Sequence, residues 1–122
     1  IIPGDGGAWY LPRIVGRAKA FEMAFTGDVL KADECLEVGL VHKVVPHDEL
    51  MAASMEMAKK IAGKPPEALR MTKRLLKESE SQTLSSSLEM AAGFQALAQS
   101  TKDHEEAAVA FVEKRKPVFT GR

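Results

Sequence analysis

The stretch His47-Asp48-Glu49-Leu50-Met51-Ala52-Ala53-Ser54-Met55-Glu56-Met57-Ala58-Lys59-Lys60-Ile61-Ala62-Gly63-Lys64-Pro65-Pro66 decides the fold class. Leu50, Met51, Ser54, Met57, Ala58 and Ile61 recur at the spacing that lines one face of a helix, and Gly63 to Pro66 breaks that pattern near Ala62. Asp48 is placed to cap the helix start. The same logic repeats downstream. Glu67 to Ser79 sets Ala68, Met71, Leu75 and Leu76 on one face and Arg70, Lys73, Arg74 and Lys77 opposite. Thr83 to Gln99 carries Leu84, Leu88, Ala91, Ala92 and Leu97 as its apolar positions. Asp103 is expected to cap a last helix that runs through Ala107, Ala108, Phe111 and Val112 to Lys116, where Pro117 ends it. The pattern gives a mostly α chain.

Upstream, Ile1-Ile2-Pro3-Gly4-Asp5-Gly6-Gly7 reads as a tight turn, followed by short helical turns over Ala8 to Gly16, with Pro12 at a first helical position. Arg17 to Thr26 is a helix with Ala20, Phe21, Ala24 and Phe25 on one stripe and Gly27 as its C-terminal cap. Lys31 to Glu37 is a shorter helix closed by Gly39. Leu40-Val41-His42-Lys43-Val44-Val45 predicts one short strand, β-branched and ended by Pro46. A lone strand leaves its backbone groups unpaired, so its partners are expected upstream of Ile1. The opening without Met points the same way, to a piece of something longer.

Composition narrows the function classes. The 122 residues carry 17 Lys+Arg against 17 Asp+Glu. This balance speaks against the strong positive field that nucleic acid or an anionic membrane would require of a partner. With 45% hydrophobic residues the chain is globular rather than disordered. A single cysteine, Cys35, cannot form an internal disulfide. No apolar run approaches the ~20 residues of a membrane span.

Few residues suggest chemistry on their own. His42, His47, His104 and Cys35 show no metal-ligand spacing. Cys35 reads as a packed helix residue. The Gly-rich turn lacks G-x-G-x-x-G and Gly-Lys-Ser/Thr, so a structural turn is a better account than a phosphate cradle. Asp5 within it is either a turn-former or a positioned acid, base or nucleophile. Lys114, Arg115 and Lys116 either complement the dipole of the last helix or meet a phosphate-bearing ligand, with Phe111 one turn back as an apolar surface.

The order of segments then resembles one family. Pro3-Gly4-Asp5-Gly6-Gly7 is followed by Leu11-Pro12-Arg13-Ile14-Val15-Gly16, by Ala20-Phe21-Glu22-Met23 with Thr26-Gly27, and by Ala32-Asp33-Glu34-Cys35 with Gly39-Leu40-Val41. Val44-Val45-Pro46, Pro65-Pro66, Thr72-Lys73 and Phe111-Val112-Glu113-Lys114-Arg115-Lys116-Pro117 complete the series. This resembles the C-terminal portion of the enoyl-CoA hydratase/isomerase (crotonase) family, and the likeness covers essentially the whole chain.

The resemblance implies the helical, trimerising end of an α/β ClpP/crotonase-like spiral fold. Residues 1–46 would be the end of the spiral core and residues 47–122 the oligomerisation region of a homotrimer or a hexamer of two trimers. It implies acyl-CoA thioester substrates, an oxyanion hole made by two backbone N–H groups, and coenzyme A present as part of the substrate with no tightly bound cofactor. Oxyanion-hole segments and both hydratase glutamates are expected upstream of Ile1. Gly4 matches the glycine whose N–H approaches the catalytic water. Asp5 matches a position that is often small in hydratases but a functional aspartate in dienoyl-CoA isomerases and a chlorobenzoyl-CoA dehalogenase. Phe111 and Lys114 match positions lining the adenine and phosphate pocket of coenzyme A, reached from a neighbouring subunit. Arg115 and Lys116 stay with the helix dipole. A cytoplasmic location follows from the resemblance, bacterial cytosol first and mitochondrial matrix second. Three other readings stand beside it: another reaction of the same family (dienoyl-CoA isomerase, dehalogenase or thioester hydrolase), a helical assembly and coenzyme A-contact module without activity of its own, and a plain protein-interaction domain, which leaves the Gly-rich start unexplained.

Overall fold

The computed structural model describes residues 2–122; Ile1, the first residue of the expected turn, lies outside them. Among the described residues seven helices follow one another: α1 (Gly7–Ile14), α2 (Arg17–Thr26), α3 (Ala32–Glu37), α4 (Leu50–Ala62), α5 (Pro66–Ser79), α6 (Leu84–Gln99) and α7 (Lys102–Val112). A 3-10 turn, His47–Glu49, precedes α4. The chain divides into two compact units at Met51 and Ala52.

In the first unit α1 packs on α2. Pro12 lies inside α1 rather than at its start, because the turn ends sooner than expected and Gly7 already begins the helix. The one bond that Pro12 cannot make is tolerated so close to the end of α1. Arg13 reinforces that end by donating from its guanidinium to the Trp9 carbonyl at 2.7 Å. Gly16 then turns the chain with φ 78° and ψ 161°, a conformation essentially closed to other residues. Of the expected stripe on α2, Ala20 is buried, while Phe21 and Phe25, their rings edge to face at 5.3 Å, are exposed.

The expected strand at residues 40–45 is absent, and the described residues contain no strand. Its first N–H groups are taken by the end of α3: those of Leu40 and Val41 both donate to the Cys35 carbonyl, at 2.8 and 3.2 Å. A β-branched run without a partner ladder has nothing to hold it as a strand. Asp48, expected as a helix cap, sits within the 3-10 turn, which has no side-chain cap.

In the second unit α5 packs on α6 and α6 on α7. Pro66 opens α5, where a missing N–H costs nothing. The Thr83 hydroxyl caps α6 by accepting from the Ser86 N–H at 3.2 Å. The inward face of α6 carries Ser87, Met90, Ala91, Phe94 and Ala98, while Leu84, Leu88 and Leu97 are exposed. The leucines had suggested the opposite rotation. Among the described residues only Ala20, Ala110 and Asp103 are buried. Two independent globules of these sizes would expose roughly 7,800 Å², whereas the chain exposes 9920 Å². Its helices therefore present apolar faces that they do not cover themselves.

Polar staples supply some of the missing closure. Asp103 is not the cap of α7. That role falls to Thr101, whose hydroxyl accepts from the His104 N–H at 3.1 Å. Asp103 is 2% exposed and holds the C-terminal tail instead. Its carboxylate accepts from the N–H groups of Thr120 at 2.7 Å and Gly121 at 2.9 Å and from the Thr120 hydroxyl at 3.3 Å. Its own N–H donates to the Arg122 carbonyl at 3.0 Å.

One turn on, Glu106 accepts a two-pronged contact from Arg115, at 2.5 and 2.8 Å, and a hydrogen bond from the Val118 N–H at 2.8 Å. The Arg115 hydrogen bond, then that of Val118, lowers the Glu106 pKa from 4.5 to about 2. The folded value lies below the unfolded one, so this contribution is complete above about 4.5 and is lost as pH falls towards about 2.

Two outcomes are expected. Asp103→Ala strands the Thr120 and Gly121 donors and lowers unfolding free energy by about 2 kcal/mol, read from the urea midpoint; a change below ~0.5 kcal/mol refutes the staple. Hydrogen-exchange protection of the Val118 amide, corrected for its intrinsic rate, should be flat near neutral pH and fall between about 4.5 and about 2. A flat profile through that window contradicts the role given to Glu106.

Candidate functional site

Two local arrangements carry the residues singled out by the sequence, one in each unit. The first is the turn ahead of α1. Residues 4–6 form it, and Gly6 has φ 93°. Its carbonyl accepts from the N–H groups of Trp9 at 3.0 Å and Tyr10 at 2.9 Å, which starts α1. The positive φ favours glycine, and a Cβ at Gly6 would lie 3.2 Å from two carbons of the Tyr10 ring, which would have to give way by a few tenths of an ångström. The Gly4 N–H donates to the Ile2 carbonyl at 2.8 Å, a local contact, rather than standing open.

Asp5 is exposed between these glycines, and its carboxylate accepts no hydrogen bond from any described residue. Pro3 and Gly7, on either side of it in sequence, line an apolar cavity of about 380 Å³ together with Ile2, Leu11, Phe21 and Phe25. An unpaired carboxylate beside an apolar cavity can serve a substrate with an apolar body and a proton to move.

The second arrangement is the end of α7. The helix stops at Val112, four residues before the expected Lys116. The stop is a Schellman turn: the Lys114 N–H donates to the Phe111 carbonyl at 3.3 Å, and the Arg115 N–H reaches back to the Ala110 carbonyl at 3.0 Å. Such a turn needs one residue in the left-handed region, and here it is Lys114, at φ 55°. It is the one non-glycine residue of positive φ among those described. That choice costs about 1 kcal/mol relative to glycine, and strain of this kind gathers where function holds a side chain in place.

The three cations that follow α7 part company. Arg115 is spent on α7 and its end, pairing with Glu106 and, at 2.6 Å, with Glu113. Its pKa is raised, chiefly by the hydrogen bond to Glu106. This corrects the helix-dipole reading of Arg115. Lys114 forms no ion pair with a described residue. Three residues back, the Phe111 side chain stands 85% exposed. A flat apolar ring and an unpaired ammonium on one turn suit a ligand that joins an aromatic base to phosphate.

Sequence reasoning missed Glu106 and the left-handed Lys114. Nine residues separate Glu106 from Arg115, outside any helical spacing, and a lysine gives no sign of positive φ. Cys35 is half-buried on α3, its thiol directed to the Leu30 carbonyl at 3.9 Å. Among the described residues no group of three His, Cys, Asp or Glu side chains could hold a metal ion, and no helix is long and apolar enough to cross a membrane.

Known proteins share this arrangement of helices. Residues 1–122 match the family model for enoyl-CoA hydratase/isomerase. The 1,2-epoxyphenylacetyl-CoA isomerase of Escherichia coli K12 is 35% identical over the whole chain, which covers 47% of that protein. The crotonyl-CoA hydratase of Syntrophomonas wolfei is 36% identical over the whole chain, again 47% of its own length. An enoyl-CoA hydratase from Bacillus anthracis, solved at 1.8 Å, superposes with a TM-score of 0.95 at 38% identity, covering all of this chain and 47% of that one. The chain thus spans about half the length of the curated relatives it matches, and its helices correspond to the helical part of the crotonase fold. With the ordered motifs, the family model over every residue and the shared fold all in agreement, the chain belongs to the enoyl-CoA hydratase/isomerase family.

Proposed function

We propose that this chain is part of an enzyme that acts on acyl-CoA thioesters, adding water to or isomerising an enoyl group. The observation that carries the reading is the family match over all 122 residues. In such a reaction the thioester oxygen gathers negative charge as the acyl chain becomes enolate-like. Preorganised backbone N–H donors stabilise that charge, each typically by a few kcal/mol. These donors and the two hydratase glutamates are assigned to segments outside residues 1–122. Residues 1–46 contribute the end of the spiral core, and residues 47–122 a helical region through which copies assemble as trimers or hexamers. The exposed apolar helix faces support that assignment. Coenzyme A enters as part of the substrate, with no tightly bound cofactor, and the reaction is assigned to the bacterial cytosol first and the mitochondrial matrix second.

Phe111 and Lys114 are assigned to the coenzyme A end of a substrate held by a neighbouring subunit, ring against adenine and ammonium against phosphate. Gly4 and Asp5 are assigned to the acyl end. The Gly4 N–H can serve a catalytic water only when its contact with Ile2 opens. Asp5 supports a second reading within the same family, in which its carboxylate takes and returns a proton as a double bond migrates. Among the described residues its carboxylate has no hydrogen-bond partner, which favours this, because a turn-forming aspartate is commonly bonded to neighbouring backbone. The apolar cavity beside the turn fits an acyl body.

Lys114→Ala is expected to weaken coenzyme A binding roughly tenfold in calorimetric titration, with a smaller loss at high salt. Unchanged affinity at low salt removes Lys114 from the contact. In the longer enzyme that contains this chain, Asp5→Asn is expected to lower kcat for double-bond migration by ~10²-fold or more, followed as the absorbance change when the double bond moves into or out of conjugation with the thioester. Turnover equal to that of the parent returns Asp5 to a structural role and leaves hydration by glutamates as the reading.

A further inference from the structure

We infer that Glu106 is a positioning residue for the coenzyme A contact, holding the turn that presents Lys114 without touching the ligand itself. The inference rests on the assignment of Lys114 to coenzyme A made above. Its starting point is that a lysine in the left-handed region does not stay there on its own preference. The two Schellman hydrogen bonds fix the backbone on either side, through the Lys114 and Arg115 N–H groups. The side chain of Arg115 then locks the position. Its guanidinium reaches Glu106 on α7 with two nitrogens and Glu113 with a third, at 2.5, 2.8 and 2.6 Å.

Glu106 also accepts from the Val118 N–H at 2.8 Å, so the chain is tied to α7 both just after Lys114 and four residues beyond it. Lys114 is left as a loop residue pinned on both flanks, its ammonium clear of the carboxylates that its neighbour occupies. If Glu106 lets go, Arg115 is released, the turn is free to relax out of the left-handed region, and the backbone of Lys114 is no longer held in place.

The charge of Glu106 makes the inference testable by sign. Removing a carboxylate near a phosphate-binding ammonium strengthens anion binding by simple Coulomb attraction. Releasing a positioning residue weakens it. Glu106→Gln keeps the size of the side chain and an acceptor for Val118 but gives up the charged fork with Arg115. Arg115→Lys keeps the cation and loses the planar fork.

Coenzyme A binding is measured by titration calorimetry on the longer enzyme that contains residues 1–122, in five forms: parent, Glu106→Gln, Arg115→Lys, Lys114→Ala and the double variant of Glu106→Gln with Lys114→Ala. Glu106→Gln is expected to weaken binding three- to tenfold, Arg115→Lys to do the same, and Glu106→Gln to add less than twofold once Lys114 is already alanine. In enoyl-CoA turnover the effect should fall on KM far more than on kcat, whereas general loss of fold lowers kcat as well. Tighter or unchanged binding in Glu106→Gln, beside a clear loss in Lys114→Ala, overturns the positioning role and leaves the coenzyme A assignment standing. An equal loss from Glu106→Gln with and without Lys114 overturns it too, because the effect then does not pass through the lysine. No loss in Lys114→Ala overturns the assignment and this inference together.

Discussion

A carboxylate buried among backbone N–H groups has little freedom, and Asp103 is in that position. At 2% exposure it cannot turn to water, so its two oxygens are committed to the donors of Thr120 and Gly121. That commitment brings residues 118–122 back along α7. Glu106, one turn further on, then has both Arg115 and Val118 within reach. The left-handed Lys114 lies inside the loop so closed. Order in the second unit thus runs from one buried ion outward to an exposed one.

Polar staples matter here because the hydrophobic account is thin. Burial of apolar surface is the dominant favourable term in folding. Yet among the described apolar residues only two alanines are buried, while Phe25, Val29, Leu84, Phe111 and Val112 are largely exposed. Where α5 meets α6 the contact is lined by Ala68, Met71, Leu75, Ala91, Phe94 and Ala98. Small residues let these helices approach closely but contribute little area each. Hydrogen bonds made by ionised groups are the stronger kind, and at Asp103 and Glu106 they take a larger share of the work than in a closed core.

The fold was legible where periodicity and punctuation agree. Helices α2, α5 and α6 lie within a residue of where the sequence put them, because Gly27, Pro66 and Thr83 mark their ends by local chemistry. Legibility failed wherever the deciding partner was distant or absent. The run 40–45 has the residues of a strand and no ladder. Asp103 has the residue type and the place of a cap, yet Thr101, two residues earlier, has the reach for it, and Asp103 serves the chain end seventeen residues away. On α6 packing divided the expected apolar set, with Ala91 turned inward beside Phe94 and Leu84, Leu88 and Leu97 exposed. At the candidate site, Asp5, Phe111 and Lys114 were named from motif order, whereas Glu106 and the strained backbone that make Lys114 distinct have no sequence signature.

Three consecutive cations follow α7, and counting charge alone treats them alike. Geometry divides them. An arginine next to two carboxylates satisfies its planar fork and is removed from ligand chemistry. A lysine in the preceding position is turned outward by a backbone angle that a lysine does not prefer. Glycine there would relieve the strain and abolish the ammonium. A lysine in an ordinary helical angle would extend α7 and carry Arg115 away from Glu106. The strained lysine is the choice that keeps both the turn and an unpaired charge, and its cost of about 1 kcal/mol is small against a charge-assisted contact of about 1.5–3 kcal/mol.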